Sequence, residues 1–369
     1  MKSNTQWYVF VFVFLVLLGL VSCTPIKSIL LGRPDAKDMG RFTNSKINSD
    51  TCFLFEKDNR NDIKITDWSS DQPVFKPLLE LCHEHSVRSF IVIQNDTIKF
   101  EYYRDELDEN SLHPSYSISK SMISCLVGIA IDEGWLQSVN QKAIDFIPEI
   151  KNKPYAEKLT IKHLLNHTSG IKYSLIEDGN LYYGKNIIKE LQNILFVTLP
   201  GTNQEYLNVN SQLLGIILAR SSGMSVTKLV QQKIWAPIGM CNEGHWSVDK
   251  YGVEKSFCCL SATAKDYAKF GRLYLNRGLW NKQRVFSESW YEESMSRDTT
   301  DGSSHNYNYS WHLGLKEYGD FMAIGLYKQH LYIYPKKNLI IVLLNDREKP
   351  ISAERVNWWF IFRQIGDEL

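Results

Sequence analysis

Regular folding patterns begin near residue 77, first with strand-like and then with helix-like spacing of apolar residues. The segment VRSFIVIQNDTIKFEYYRD alternates apolar and polar positions on both sides of Asn95-Asp96, which predicts a β-hairpin over residues 89–103. Over residues 117–135 the apolar positions recur every three or four residues, and Gly134 supplies a stop signal. This second pattern predicts a helix.

The rest of the chain continues with helices and then returns to strands. Between about residues 136 and 250, KLTIKHLLNHTSGI and VNSQLLGIILARSSGM each predict a helix, the second closed by Gly223. Strand patterns return in FMAIGLYKQ, HLYIYP and NLIIVLLND, joined by a predicted turn at Pro335–Asn338, and residues 352–365 predict a terminal helix. We therefore predict one α/β domain of the α+β type over residues 77–369, an antiparallel sheet with an inserted helical subdomain.

The N-terminus has a different pattern. Lys2 precedes an apolar run that ends in Leu20-Val21-Ser22-Cys23, an arrangement typical of an export signal and similar to the lipobox of bacterial lipoproteins. We expect residues 1–22 to be a signal peptide, Cys23 to carry the lipid, and residues 23–76 to form a tether and N-terminal extension. The protein would then be exported and membrane-anchored, in the periplasm or at the cell surface. An uncleaved anchor is the alternative.

Composition narrows the classes of protein. The chain of 369 residues is 44% hydrophobic and 12% aromatic, which favours a globular fold over disorder. Its formal net charge is +1 and Lys and Arg form no run, so we expect no nucleic-acid partner. Neither CxxC nor HExxH occurs, and we expect no metal or organic cofactor.

The chain has seven cysteines, of which six remain once Cys23 is set aside. An exported protein can form disulfides, but the spacing of these cysteines identifies no pair. We therefore predict buried free thiols at Cys52, Cys82, Cys125, Cys241, Cys258 and Cys259.

Ser117 and Lys120 open the helix predicted at residues 117–135. Residues three apart lie on the same helix face, with Cβ atoms about 5 to 6 Å apart, so the lysine amine can reach the serine hydroxyl. Serine needs a base, and lysine serves only when uncharged, a state favoured by burial and by the positive end of a helix. The Ser117 backbone N–H is a candidate oxyanion donor. An ordinary helix cap is the alternative for this serine.

The same S-x-x-K spacing recurs at Ser225–Lys228 and Ser247–Lys250. We interpret Ser225 as a helix cap and Ser247 as part of an exposed loop. Tyr206-Leu207-Asn208 distinguishes Ser117 from these two, because a phenol can relay the serine proton and an amide can position the lysine and a substrate carbonyl. A second Y-x-N, at Tyr274, has the helical spacing of core residues.

With these motifs in this order, the sequence resembles the serine hydrolases related to class C β-lactamases, which include penicillin-binding DD-peptidases, carboxylesterases and 6-aminohexanoate-dimer hydrolases. LTIKHLLNHTSGI and SATAKDYAKFGRLYLNRGLWNKQRVFSESW also resemble family segments, and the resemblance covers about residues 77–365. It implies a β-lactamase/transpeptidase-like fold with the site between sheet and helical subdomain. It also implies Ser117 as the acylated nucleophile, Lys120 as its base partner, Tyr206 as a sharer of proton transfer and Asn208 as pocket lining. Whether Lys120 or Tyr206 is the principal base stays open.

The family's third motif, K-T-G, H-x-G or G-x-x-G-Q on the strand opposite the nucleophile, has its best match in Gly325–Gln329. Lys328 replaces the second glycine, and it either enters the pocket or points to solvent. A backbone N–H near Lys328 or Gln329 is the expected second oxyanion donor. Gln329, Lys328, Tyr327 and Trp311 are candidate substrate-binding residues, with core packing as the alternative for Tyr327.

The resemblance implies a serine hydrolase that cleaves a small-molecule ester or amide, or a peptide, through an acyl-enzyme on Ser117, and the N-terminal pattern predicts that this hydrolase is tethered to a membrane. The third motif favours the esterase and amide-dimer branch over a DD-peptidase or β-lactamase. A binding protein that keeps the fold without turnover is the alternative of another class, suggested by Lys328. A histidine base is not favoured, because G-x-S-x-G is absent and His163 and His167 lie in a predicted turn.

Overall fold

The structure is a computed structural model that describes residues 33–48, 50–60, 62–67, 72–300, 302–346 and 356–369. The predicted signal peptide, Cys23 and the first residues of the predicted terminal helix lie outside these ranges. In the described ranges no single helix is both long and apolar enough to cross a bilayer, although one pair bent by 77°, Asn208–Ser222 with Val226–Trp235, meets both criteria jointly.

A large, almost entirely antiparallel sheet organises the described residues, in the order β14-β15-β16-β17-β18-β5-β6-β2. A smaller sheet has the order β1-β10-β11-β7. The strands are β1 (Thr43–Ile47), β2 (Glu56–Lys57), β3 (Lys64–Asp67), β4 (Val74–Pro77), β5 (Ser89–Gln94), β6 (Thr97–Tyr103), β7 (His113–Pro114), β8 (Ile171–Lys172), β9 (Leu195–Phe196), β10 (Gly244–Val248), β11 (Leu260–Ala262), β12 (Leu279–Trp280), β13 (Gln283–Arg284), β14 (Tyr307–Asn308), β15 (Trp311–Leu313), β16 (Phe321–Gly325), β17 (Gln329–Tyr334) and β18 (Leu339–Leu344). The predicted hairpin corresponds to β5 and β6.

Helices fill the middle of the chain and flank the large sheet. They are α1 (Leu78–Glu84), α2 (Ile118–Asp132), α3 (Ile161–Leu165), α4 (Leu175–Tyr183), α5 (Ile187–Glu190), α6 (Asn208–Ser222), α7 (Val226–Val230), α8 (Ala264–Leu275), α9 (Glu288–Met295) and α10 (Trp358–Glu368). Gly223 ends α6 in the left-handed conformation, as its sequence predicts.

Both faces of the large sheet are buried. On β18, Ile340 and Val342 face an apolar cluster that includes residues of α2 and α8, whereas Ile341 and Leu343 face a second cluster with residues of α1 and α10. Side chains alternate between the faces of a strand, so a strand covered on both sides must be apolar throughout. This explains the run LIIVLL and gives the predicted mixed α/β architecture.

The N-terminal extension is folded onto the domain. β1 pairs with β10 along its whole length, from Thr43 opposite Val248 to Ile47 opposite Gly244. The predicted tether over residues 23–76 is therefore wrong for the described residues from 33 onward, and the folded unit begins before residue 77. The polar composition that suggested a tether belongs to an edge strand with mostly accessible side chains.

The prediction of free thiols is wrong for four cysteines. Cys52 is bonded to Cys241, and Cys258 is bonded to Cys259, whereas Cys82 and Cys125 are free and buried. Cys52 and Cys241 are 189 positions apart in the chain. They meet because the backbone N–H of Phe53 donates to the Gly239 carbonyl at 2.8 Å, which aligns the two segments.

Gly128 permits close packing of α2, the helix that begins beside Ser117. A Cβ atom at this position would lie 2.4 Å from Cγ of Trp290. We expect Gly128→Ala to lower the free energy of unfolding by about 1 to 3 kcal/mol, because the core would be overpacked. The control is Gly40→Ala, whose Cβ meets nothing within 4 Å. Chemical denaturation of both variants measures the difference, and equal stabilities would contradict this account of the packing.

Candidate active site

Ser117 lies where a short strand turns into α2. The backbone N–H of Ser115 donates to the Leu260 carbonyl at 2.7 Å, which ties the approach to Ser117 to β11. Tyr116 has a φ of 44°, a left-handed conformation that is uncommon for an aromatic residue and clusters at functional sites. Ser117 itself has helical dihedral angles, and its side chain makes no capping hydrogen bond. Its hydroxyl is therefore not used to begin the helix.

The two rival S-x-x-K sequences differ from Ser117 in this respect. The Ser225 side chain accepts a hydrogen bond from the Lys228 backbone N–H and caps α7, as predicted. The predicted exposed loop at Ser247 is wrong, because Ser247 lies in β10, is buried, and donates to Oδ1 of Asn44 at 2.7 Å. Asn44 belongs to β1, a strand that the sequence pattern did not predict.

Lys120 is buried beside Ser117 with only 1% of its surface exposed. Its Nζ donates to Oγ of Ser117 at 2.8 Å, to Oδ1 of Asn208 at 2.8 Å and to the carbonyl of Phe257 at 2.7 Å. Burial lowers the pKa of Lys120 to about 7, and the charge of Asp178 opposes this change. A substantial fraction of this amine is therefore neutral at neutral pH.

The chemistry of these three contacts decides what the neutral amine does. An ammonium group has three N–H donors, whereas a neutral amine has two donors and one lone pair. The Phe257 carbonyl and the Oδ1 atom of Asn208 only accept hydrogen bonds, so they retain the two remaining N–H groups. The Ser117 hydroxyl can also donate, and the lone pair of Lys120 is left facing it. Loss of a proton from Lys120 thus converts a donor to Ser117 into a base for Ser117.

Asp178, on α4, holds the Asn208 amide in the required orientation. Nδ2 of Asn208 donates to both carboxylate oxygens of Asp178, at 3.0 and 2.9 Å, which leaves Oδ1 to face Lys120. Partial burial raises the pKa of Asp178, while its hydrogen bond with Asn208 and the charge of Lys120 lower it. The sequence does not predict a role for Asp178, because no motif links α4 with the start of α6.

Tyr206 completes the group around Ser117. Tyr206 is 46% exposed along the cleft, but its phenol is partly withdrawn from water, which raises the pKa of Tyr206, and an interaction with Ser117 opposes the rise. Its ring stacks on His167 at a centroid distance of 4.4 Å, and Lys120 Nζ lies 5.1 Å from the ring centroid. Nδ1 of His167 accepts the Leu207 backbone N–H at 3.1 Å. His167 is thus a support for Tyr206.

A cleft of about 910 Å³ opens at this site, and its walls are mainly aromatic and aliphatic. Its lining includes Ser117, Asp178, Tyr206 and Asn208. Leu175, on its rim, is 90% exposed. The apolar lining residues are Tyr116, Tyr173, Leu175, Tyr182, Tyr183, Tyr206, Leu207, Phe257 and Leu326. The folded N-terminal segment adds Arg33 and Pro34 to the wall. No cluster of metal-ligating side chains occurs in the ranges that the structure describes.

The predicted third motif is a turn between two strands. β16 ends at Gly325 and β17 begins at Gln329, and Tyr327 and Lys328 have positive φ in the connection. Lys328 is exposed, so of its two predicted orientations the structure has the one toward solvent. Leu326 is the residue of this turn that borders the cleft.

The structure places three other predicted substrate-binding residues outside the lining of the cleft. The buried Gln329 side chain donates to the Asn345 carbonyl at 2.7 Å and accepts its N–H, which ties β17 to the end of β18. The Tyr327 hydroxyl donates to the Pro34 carbonyl at 2.6 Å, holding the N-terminal segment. Trp311 is fully buried and packs against Tyr274, with ring centroids 4.4 Å apart, because β15 faces α8 rather than the cleft.

The pKa of Lys120 can be tested through Asp178. Asp178→Asn removes the charge but keeps an amide oxygen that can accept from Asn208. Since the carboxylate raises the pKa of Lys120, we expect the pKa of Lys120 in this variant to be lower than its wild-type value of about 7. Nζ nitrogen NMR measures both midpoints. Glu177→Gln is the matched control on the same helix and should leave the midpoint unchanged; an equal or higher midpoint in Asp178→Asn would contradict the assignment.

Comparisons with known proteins agree with this fold. The model of the Beta-lactamase family matches residues 86–365. The chain is 25% identical to a 6-aminohexanoate-dimer hydrolase from Paenarthrobacter ureafaciens over 288 residues, 71% of this chain and 73% of that protein.

Solved structures give the same architecture. A Bacillus anthracis protein assigned as a 6-aminohexanoate-dimer hydrolase superposes with a TM-score of 0.77 at 23% identity, covering 88% of this chain and 89% of that one. A family VIII carboxylesterase superposes with a TM-score of 0.59 at 18% identity, covering 76% and 92%. The predicted β-lactamase/transpeptidase-like fold is confirmed, and the chain belongs to the β-lactamase family, as a serine hydrolase of that fold.

Proposed function

We propose that this protein hydrolyses a small ester or amide by transferring its acyl group to Ser117. The observation that carries the proposal is the 2.8 Å contact between Lys120 Nζ and Ser117 Oγ, made by an amine whose other two acceptors are fixed. Because the serine hydroxyl is not a helix cap, it is available for attack on a carbonyl carbon.

The proposed reaction has two halves. Ser117 Oγ bonds to the substrate carbonyl carbon while its proton passes to Lys120, and the oxyanion accepts a hydrogen bond from the Ser117 backbone N–H. The second main-chain donor belongs to the turn before β17, where Leu326 borders the cleft in place of the predicted Lys328 or Gln329. The leaving group departs with a proton delivered through Tyr206, whose hydroxyl interacts with Ser117. Water then attacks the acyl carbon by the same proton path in reverse, releasing the acid and restoring Ser117. Asn208 and Asp178 position Lys120 throughout.

The substrate class follows from the cleft and from the relatives. Walls built mainly of tyrosine, phenylalanine and leucine favour an apolar group on at least one side of the scissile bond. The named relatives include a 6-aminohexanoate-dimer hydrolase and a carboxylesterase. We therefore place the ester and amide branch ahead of peptidoglycan or β-lactam substrates.

Two active-site probes test this function. A fluorophosphonate should label the wild-type protein on Ser117, and Ser117→Ala should lose both the label and at least about 1000-fold in ester hydrolysis. Ser225→Ala, at the second S-x-x-K sequence, is the matched control; it should keep the label and lose only a helix cap, worth about 1 kcal/mol.

Each remaining outcome of this experiment has a distinct meaning. A fluorescent penicillin that labels Ser117 would favour the DD-peptidase or β-lactamase alternative. If neither probe labels the protein and Ser117→Ala hydrolyses esters as fast as wild type, the enzyme proposal fails in favour of a binding protein.

We also propose that the protein is exported and anchored to a membrane through a lipid on Cys23. The apolar run before Cys23 and its lipobox-like ending support this location. Two disulfides support it further, because such bonds persist mainly in oxidising compartments.

Labelling with a palmitate analogue in a bacterial host tests the anchor. We expect Cys23→Ser to lose both the label and membrane association, because the thiol that carries the lipid is gone. Cys82→Ser, which removes a buried free thiol, should retain both. The anchor is refuted if Cys23→Ser still takes up the label and stays with the membrane.

A further inference from the structure

The disulfide between Cys258 and Cys259 lies in the wall of the active-site cleft and has no part in the reaction described above. Cys258 borders the cleft next to Phe257 and is 5% exposed. Cys259 is partly exposed and borders a small neighbouring cavity. A bond between consecutive residues closes a small ring that includes their shared peptide group, so it restricts the backbone directly.

The backbone that this ring restricts is in contact with Lys120. The carbonyl of Phe257, the residue before the ring, accepts from Lys120 Nζ at 2.7 Å. The carbonyl of Leu260, the residue after the ring, accepts from the Ser115 N–H at 2.7 Å, two positions before Ser117. The ring therefore lies between the residue that contacts the base, Phe257, and the residue that anchors the approach to the nucleophile, Leu260.

Cys259 also has a backbone conformation that a free cysteine would tend to leave. Its φ is 72°, in the left-handed region that favours glycine. A residue with a Cβ atom is held there only by surrounding constraints, of which the bond to Cys258 is the most direct. If that bond opens, Cys259 can return to a negative φ and carry the Phe257 carbonyl away from Lys120.

We propose that the Cys258–Cys259 disulfide is a redox-sensitive positioning element, which holds the Phe257 carbonyl against Lys120 when oxidised and releases it when reduced. The inference rests on the proposed function, since it concerns the base of that reaction. Reduction by a dithiol balances simply: the S–S bond breaks, two S–H bonds form, and the reductant closes its own disulfide. With one acceptor lost, the lone pair of Lys120 is no longer held toward Ser117.

The test uses the full-length protein and compares the Cys258–Cys259 disulfide with the Cys52–Cys241 disulfide. In wild type and in Cys52→Ser/Cys241→Ser, dithiothreitol should lower kcat for ester hydrolysis about tenfold, the effect of one lost hydrogen bond to the base. KM should change less than about twofold, because most of the cleft is unaltered. Reoxidation should restore kcat, and mass spectrometry after alkylation should follow the thiols.

Two variants of the proposed element complete the experiment. Cys258→Ser/Cys259→Ser should have a low kcat that dithiothreitol does not change. Cys258→Ser/Cys259→Gly should recover much of the activity and also ignore dithiothreitol, because glycine adopts the positive φ without the bond. The second variant keeps the test decisive if the first does not fold.

The result that overturns the inference is specific. The inference fails if reduction of the Cys258–Cys259 bond, verified by mass spectrometry, leaves kcat unchanged. It also fails if Cys52→Ser/Cys241→Ser no longer loses kcat on reduction, because the other disulfide would then be the sensitive one. Failure of the proposed function looks different, because the oxidised wild-type protein would then neither hydrolyse esters nor take the fluorophosphonate label.

Discussion

The burial of one amine determines the organisation of this site. Moving a lysine into a protein interior disfavours its charged form. The cost is offset at Lys120 because each of its N–H groups donates a hydrogen bond to an acceptor. Two of those acceptors cannot donate, and the third is the serine hydroxyl. The same arrangement that satisfies the buried ammonium therefore directs the neutral amine at Ser117.

The acceptors come from distant parts of the chain, and the fold is what brings them together. Ser117 and Lys120 lie on α2, Asn208 begins α6, and Phe257 precedes β11. Helix α2 packs on one face of the large sheet, whose strand β18 is buried on both faces and is paired along its length with β17 and β5. Rigid elements of this kind can hold side chains to the tolerance that proton transfer requires.

Local pattern was sufficient to predict much of this. The hairpin, α2, α6 and the antiparallel C-terminal strands follow from apolar spacing and turn residues, and family resemblance then supplied Ser117, Lys120, Tyr206 and Asn208. Contacts between segments remote in sequence were not predictable in the same way. Asp178 carries no motif, Gln329 looks like a motif residue but ties two strand ends together, and Cys52 and Cys241 are bonded although they are 189 positions apart in the chain.

The distribution of charge around the cleft indicates how selective such a site is. Among the described lining residues, Asp178 is directed at Asn208 and influences Lys120, so its charge serves the catalytic group more than a substrate. The substrate meets mainly aromatic and aliphatic walls, and an apolar pocket distinguishes one methylene more or less by only about 10- to 200-fold. Selectivity is therefore expected to come from the shape of the cleft, including the wall that Arg33 and Pro34 add. Because Tyr327 holds that wall through the Pro34 carbonyl, we expect the turn that departs most from the family motif to influence substrate choice indirectly, by fixing the N-terminal segment.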